Sequence, residues 1–66
     1  MDVVLYSTDC PKCKVLEKKL DAKDIKYTLI NNEQLMIDKG FLEAPMLEVD
    51  GELMGFIEGN KWANQF

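Results

Sequence analysis

The chain contains no histidine. Imidazole is therefore excluded as a general base and as a metal ligand. Cysteine is nearly as scarce, with Cys10 and Cys13 the only two, half of the four ligands that a structural zinc site takes. A metal or an iron–sulfur cluster on this pair would need ligands from a second chain or from solution. No apolar run approaches the roughly 20 residues needed to cross a bilayer. No early stretch combines a basic head, an apolar middle and a small-residue cleavage site. These absences point away from membrane and export and toward the cytoplasm. In that reducing compartment, one close cysteine pair serves redox or metal chemistry rather than a secreted disulfide framework.

Positive charge is also short. The net charge is −4 over 66 residues and is unevenly spread. Residues 1–26 carry six lysines against five acids, and residues 27–66 carry two against seven. Such a chain offers no basic stripe for phosphates, so nucleic acid is a poor partner. Glu43, Glu48, Asp50 and Glu52 read as a solvated face. Should that face border Cys10, it would disfavour an acidic small thiol and favour a basic protein surface. The apolar share of 47 % is too high for a disordered segment. With no linker, repeat or low-complexity stretch, residues 1–66 are expected to fold as one small, thinly stable domain.

Taken in order, Val3-Val4-Leu5-Tyr6 lacks polar alternation, as expected of a central strand covered on both faces. A polar turn, Ser7-Thr8-Asp9, follows. Pro11 then suits the first turn of a helix, where its missing N–H would have had no partner. The helix should run from Pro11 to about Lys23, placing Cys10 at its N-cap, with Cys13, Leu16 and Leu20 forming an inward stripe. Residues 25–30 read as a second strand, parallel to the first because a right-handed βαβ unit joins them. Asn31 or Asn32 can cap a short helix carrying Leu35, Met36 and Ile37, which Gly40 ends. Strands at 46–49 and 52–56 flank Asp50-Gly51, a pair suited to a type I′ hairpin turn. A last short helix is expected over 58–66, with Gly59 and Asn60 weakening its start. Trp62 and the four methionines read as core-filling residues.

Cys10-Pro11-Lys12-Cys13 after the first strand, Ala44-Pro45 ahead of the third and Asp50-Gly51 in the hairpin together resemble the thioredoxin superfamily. More narrowly, essentially the whole chain resembles glutaredoxins. The resemblance implies an α/β thioredoxin fold: a four-stranded mixed sheet of order 2-1-3-4 flanked by three helices, with a cis bond before Pro45. It also implies a thiol–disulfide oxidoreductase in which Cys10 attacks a substrate disulfide and Cys13 resolves the mixed disulfide. Ala44 and Pro45 would present backbone to an extended substrate.

Attack requires a thiolate, and a free cysteine with pKa near 8.5 is mostly protonated at neutral pH. The positive end of the helix and nearby Lys12 and Lys14 favour the anion at Cys10, and Asp9 opposes it. Turnover needs an outside reductant and no bound cofactor, either glutathione or thioredoxin reductase with NADPH.

Glutathione-using glutaredoxins follow the hairpin with Gly-Gly, a small residue and Asp. Here Gly55-Phe56-Ile57-Glu58 keeps the first glycine, places bulky Phe56 where close backbone approach is wanted, and substitutes the longer Glu58. These residues and Lys12 are the candidate substrate contacts. Gly40-Phe41 and Gly55-Phe56 are similar instead to NrdH-redoxins, small electron donors to ribonucleotide reductase that draw on thioredoxin reductase. The expected partners are thus a disulfide-bearing protein and a reductase or glutathione, with the protein a monomer. The competing reading is a non-enzymatic binding module whose cysteine pair holds a shared metal or iron–sulfur site between chains. A purely structural disulfide closes too small a loop to constrain much of the unfolded chain.

Overall fold

A short β-branched and aromatic segment, β1 (Val3–Tyr6), forms the inner strand on which the other elements assemble. The computed structural model describes residues 2–8 and 10–65. After β1 come α1 (Pro11–Ala22), β2 (Thr28–Ile30), α2 (Glu33–Asp38), β3 (Met46–Val49), β4 (Glu52–Met54) and α3 (Phe56–Ala63). The sheet has the expected order β2-β1-β3-β4. β1 runs parallel to β2, with Leu5 opposite Leu29, and antiparallel to β3, with Leu5 opposite Leu47. β3 and β4 form the hairpin, in which Asp50 (φ 50°) and Gly51 (φ 87°) both take the left-handed conformation of a type I′ turn.

The period-2 alternation of the strands divides the interior. Val3 and Leu5 of β1, with Leu47 and Val49 of β3, join Leu16 and Leu20 of α1, Ile25 and Ala63 of α3 in the main core. Tyr6 has the opposite parity and packs edge-on against Phe41, ring centroids 5.0 Å apart. Phe41 lies just past α2, whose Met36 is buried, so helices flank both faces of the sheet. The inward stripe on α1 holds as read: Cys13, Leu16 and Leu20 are its buried residues. Lys19 Nζ donates to Asn64 Oδ1 at 2.8 Å, linking α1 to the end of α3. Met46 and Met54 are half-buried, and Met54 and Trp62 pack on the core. Met1 and Phe66, also read as parts of the core and last helix, lie outside the described residues.

Three boundaries differ from the sequence reading. β2 begins at Thr28 rather than residue 25, because Ile25 is used to close α1. Its N–H donates to the Leu20 carbonyl at 3.0 Å, and that of Asp24 (φ 57°) donates to Asp21 at 3.1 Å. This is a Schellman closure that buries Ile25 in the core with Leu20. Gly40 (φ 80°) ends α2 in the same way, with Phe41 N–H donating to the Met36 carbonyl at 3.0 Å. β4 stops at Met54 and α3 starts at Phe56, two residues before the expected helix, with Gly55 as N-cap. Phe56 and Ile57 have strand-like propensity, but the tertiary contact of α3 overrides it. Gly59 lies inside this helix, not at a weak start. A Cβ there would sit 3.3 Å from Leu47 Cδ2 and 3.5 Å from Leu16 Cδ2, so its missing side chain lets α3 approach the core.

Candidate functional site

The Cys10-Pro11-Lys12-Cys13 run sits where β1 hands over to α1. Pro11 occupies the first helical position, and Cys10 is the N-cap in extended backbone (φ −74°, ψ 164°). Cys10 Sγ accepts the N–H of Cys13 at 3.3 Å, the bond a capping serine would make. Both cysteines are free thiols, Cys10 half-buried and Cys13 wholly buried. Their sulfurs are 2.7 Å apart and share a hydrogen bond. Reaching a disulfide at about 2.05 Å calls for a movement of under about 1 Å.

Ala44 and Pro45 come to this point from the other side of the sheet. The peptide bond between them is cis, and Pro45 is buried. The Cys10 thiol faces the Ala44 carbonyl oxygen at 3.9 Å. The more exposed sulfur is thus flanked by α1's N-terminus and by the backbone leading into β3. Asp9, expected to weigh against the Cys10 anion, lies outside the described residues.

The environment of Cys13 was not foreseen from sequence. Burial is the largest influence and pushes its thiol up. The opposing hydrogen bonds, from the Cys10 thiol, the Thr8 N–H, the Ser7 hydroxyl and the Cys10 backbone, outweigh it and hold the group below the ordinary cysteine value. The Thr8 N–H lies 3.5 Å from Cys13 Sγ, and Ser7 is wholly buried. A small hydroxyl residue continuing a buried strand into a cysteine turn is the one trace of this in the sequence.

Beside the thiols lies a groove of about 300 Å³ lined by Lys12, Glu43, Gly55, Phe56, Ile57 and Glu58. It brings together four of the six expected substrate contacts: Lys12, Gly55, Phe56 and Glu58. Ala44 and Pro45 sit next to it at the sulfur. The Lys12 ammonium lies 5.8 Å from the centre of the Phe56 ring, within cation–π reach. Glu43, read from sequence as part of a solvated face, is exposed and also reaches toward the start of α3. Its Oε1 is 2.7 Å from where a Cβ on Gly55 would stand. Gly55 makes no side-chain cap bond, and a carboxylate contributed from 12 positions earlier in the chain occupies that space. Phe41 is spent on Tyr6 rather than on this groove. Among the described residues, no three His, Cys, Asp or Glu side chains gather as a metal site, and no helix is long and apolar enough to cross a membrane.

No protein-family description matches the chain, and no curated protein matches it. Among solved structures it is similar to a diazinon-metabolizing glutathione S-transferase of the silkworm, Bombyx mori, with a TM-score of 0.70 and 21 % identity. The match covers 98 % of this chain and 36 % of that one, so the chain spans about a third of the silkworm protein's length. At this identity the likeness concerns the fold alone, which is thioredoxin-like. A cysteine pair placed on such a fold is compatible with thiol chemistry.

Proposed function

We propose that the protein is a cytoplasmic thiol–disulfide oxidoreductase of glutaredoxin or NrdH-redoxin type, a monomeric dithiol electron donor to disulfide-bearing proteins such as ribonucleotide reductase. One observation carries the reading: two free thiols 2.7 Å apart, one half-exposed at a helix N-terminus and the other buried behind it. The accessible Cys10 sulfur attacks a substrate disulfide, forming a mixed disulfide and releasing one substrate thiolate. Cys13 then attacks Cys10 Sγ, the second substrate sulfur leaves, and the pair is left oxidised. The Ala44 carbonyl lies 3.9 Å from the reacting sulfur, where an extended substrate segment can lie. A Cys13→Ser variant exposed to a protein disulfide is expected to stall as a mixed disulfide on Cys10, seen by intact-mass measurement. Absence of any adduct would refute the division of roles.

The groove supports a protein substrate over glutathione. Glutathione presents two carboxylates, and the groove is lined by Glu43 and Glu58 against the single ammonium of Lys12. With Glu43 Oε1 already against Gly55, an incoming carboxylate meets like charge at α3's N-terminus, where anions are otherwise favoured. Ile57 on the groove and Leu42, two residues before Ala44, are 69 % and 100 % exposed, apolar surface of the kind that contacts a macromolecule. With NADPH supplied, thioredoxin reductase is expected to reduce the oxidised protein faster than glutathione with its reductase, and Glu43→Gln to narrow the gap. Faster reduction by glutathione would overturn this choice of electron source.

A further inference from the structure

The groove beside the thiols combines two kinds of surface. Its apolar part is the half-buried Phe56 ring and Ile57, which is 69 % exposed. Its charged part is the carboxylates of Glu43 and Glu58 against the ammonium of Lys12. That ammonium stands over the Phe56 ring, 5.8 Å from its centre. Neither carboxylate is hydrogen-bonded or ion-paired to another of the described residues. An apolar floor with unpaired carboxylates is the complement of a long cationic side chain, whose methylene stem takes apolar surface while its charged head takes the carboxylate. An acidic side chain entering the same space finds like charge.

The place of the groove decides which substrate residue enters it. Glu43 adjoins Ala44, whose carbonyl oxygen is 3.9 Å from Cys10 Sγ, and Lys12 lies between the two cysteines in the chain. Successive Cα atoms of an extended segment are about 3.8 Å apart. A segment whose cysteine meets Cys10 Sγ therefore holds the adjoining residue within one side-chain length of the groove.

We propose that Glu43 and Glu58 are specificity-determining residues that seat a lysine or arginine adjoining the cysteine of the substrate protein's disulfide, its stem on Phe56 and Ile57 and its cationic head at the two carboxylates. The proposal rests on the reading of Cys10 as the attacking thiol and names the substrate class for it. The chemistry of the step is unchanged. The reduced pair gives two electrons and two protons to the substrate disulfide, leaving two substrate thiols and a Cys10–Cys13 disulfide. Charge at the rim of an interface acts on the rate of encounter and is screened by salt. Exposed ion pairs are worth up to about fivefold each, so two carboxylates should favour a lysine neighbour over a glutamate neighbour by about tenfold at low ionic strength.

The test uses three peptides that differ only in a Lys, Gln or Glu beside their single cysteine, each oxidised to its symmetric disulfide dimer. Each is mixed with the reduced full-length protein, and the second-order rate constant of protein oxidation is read by intact mass. Dividing by the rate of the uncharged reductant dithiothreitol removes the intrinsic reactivity of each peptide. The normalised rates should fall in the order Lys, Gln, Glu, and their spread should shrink as salt is added. The double variant Glu43→Gln with Glu58→Gln should bring the Lys-to-Glu ratio below about threefold. Glu52→Gln removes the same kind of charge at the other end of the sheet, where Glu52 pairs with Val49 and Val49 with Val3 at the start of β1, and should leave the ratio as in the wild type. Equal rates for the three peptides overturn the proposal. So does a ratio that survives in the double variant, or one that Glu52→Gln lowers as much, which would mark the overall charge of the protein as the cause. Failure to reduce any of the three is a separate result, which removes the dithiol reading and this inference with it.

Discussion

Cys10→Ser is expected to abolish disulfide reduction while leaving the fold intact. A hydroxyl cannot form the mixed disulfide on which both later bonds depend, so no slower route through the same site remains. Cys13 does not replace it, because Cys13 is wholly buried and Cys10 is half-exposed. Serine is also a favourable N-cap and can accept the Cys13 N–H that Cys10 Sγ accepts at 3.3 Å. Loss of activity with unchanged thermal unfolding would therefore report the chemistry alone. The check is reduction of a protein disulfide under NADPH and thioredoxin reductase, alongside circular dichroism. Substantial activity in the variant would end the case for Cys10 as the attacking thiol.

The second large effect is on stability, and it falls on Leu47. This residue is wholly buried at the centre of the sheet, opposite Leu5 on β1 and in contact range of Gly59 on α3. Truncating a buried leucine to alanine costs about 2–5 kcal/mol, the loss of transfer free energy plus the cavity left behind. A domain of this size has roughly 3–10 kcal/mol in total. Leu47→Ala should thus lower the midpoint of thermal unfolding by roughly 10 °C or more, given about 4–8 °C per kcal/mol for small domains, and part of the population should be unfolded at 37 °C. Gly59→Ala probes the same contact from the helix side. In the wild type, its new Cβ meets Leu47 Cδ2 at 3.3 Å, and the strain works against a helix-propensity gain of about 1 kcal/mol. In the Leu47→Ala background the 3.3 Å contact is removed, the Cβ of residue 47 at 3.4 Å and Leu16 Cδ2 at 3.5 Å remain as ordinary contacts, and more of the gain should appear. A fall of less than about 3 °C for Leu47→Ala would show that β3 is not the packing centre described here.

Whatever rests on neighbours along the chain is legible in the residues themselves. The two thiols lie three residues apart across the start of a helix, and Pro11 marks that start. The stripe of Cys13, Leu16 and Leu20 follows from helical spacing. The Asp50-Gly51 turn follows from the backbone angles those residues tolerate. The sheet order was implied by the family resemblance that these residues and Ala44-Pro45 carry.

What depends on distant segments meeting emerges only in the folded chain. Phe56 reads as the end of a strand and folds as the start of a helix, because Gly59 lets that segment pack on Leu47 and Leu16. Glu43 is the exposed acid the sequence suggests, and only the fold brings it against Gly55. Ser7 reads as a turn residue and is wholly buried. The contrast has one physical cause. Turns, caps and helical stripes are set by dihedral preferences and spacings of a few residues, whereas burial and charge at the thiols are set by contacts made across the sheet. The pair of thiols, with Cys10 at the helix tip and Cys13 on its inward stripe, was therefore legible from sequence, and the approach of Glu43 to Gly55 beside them was not.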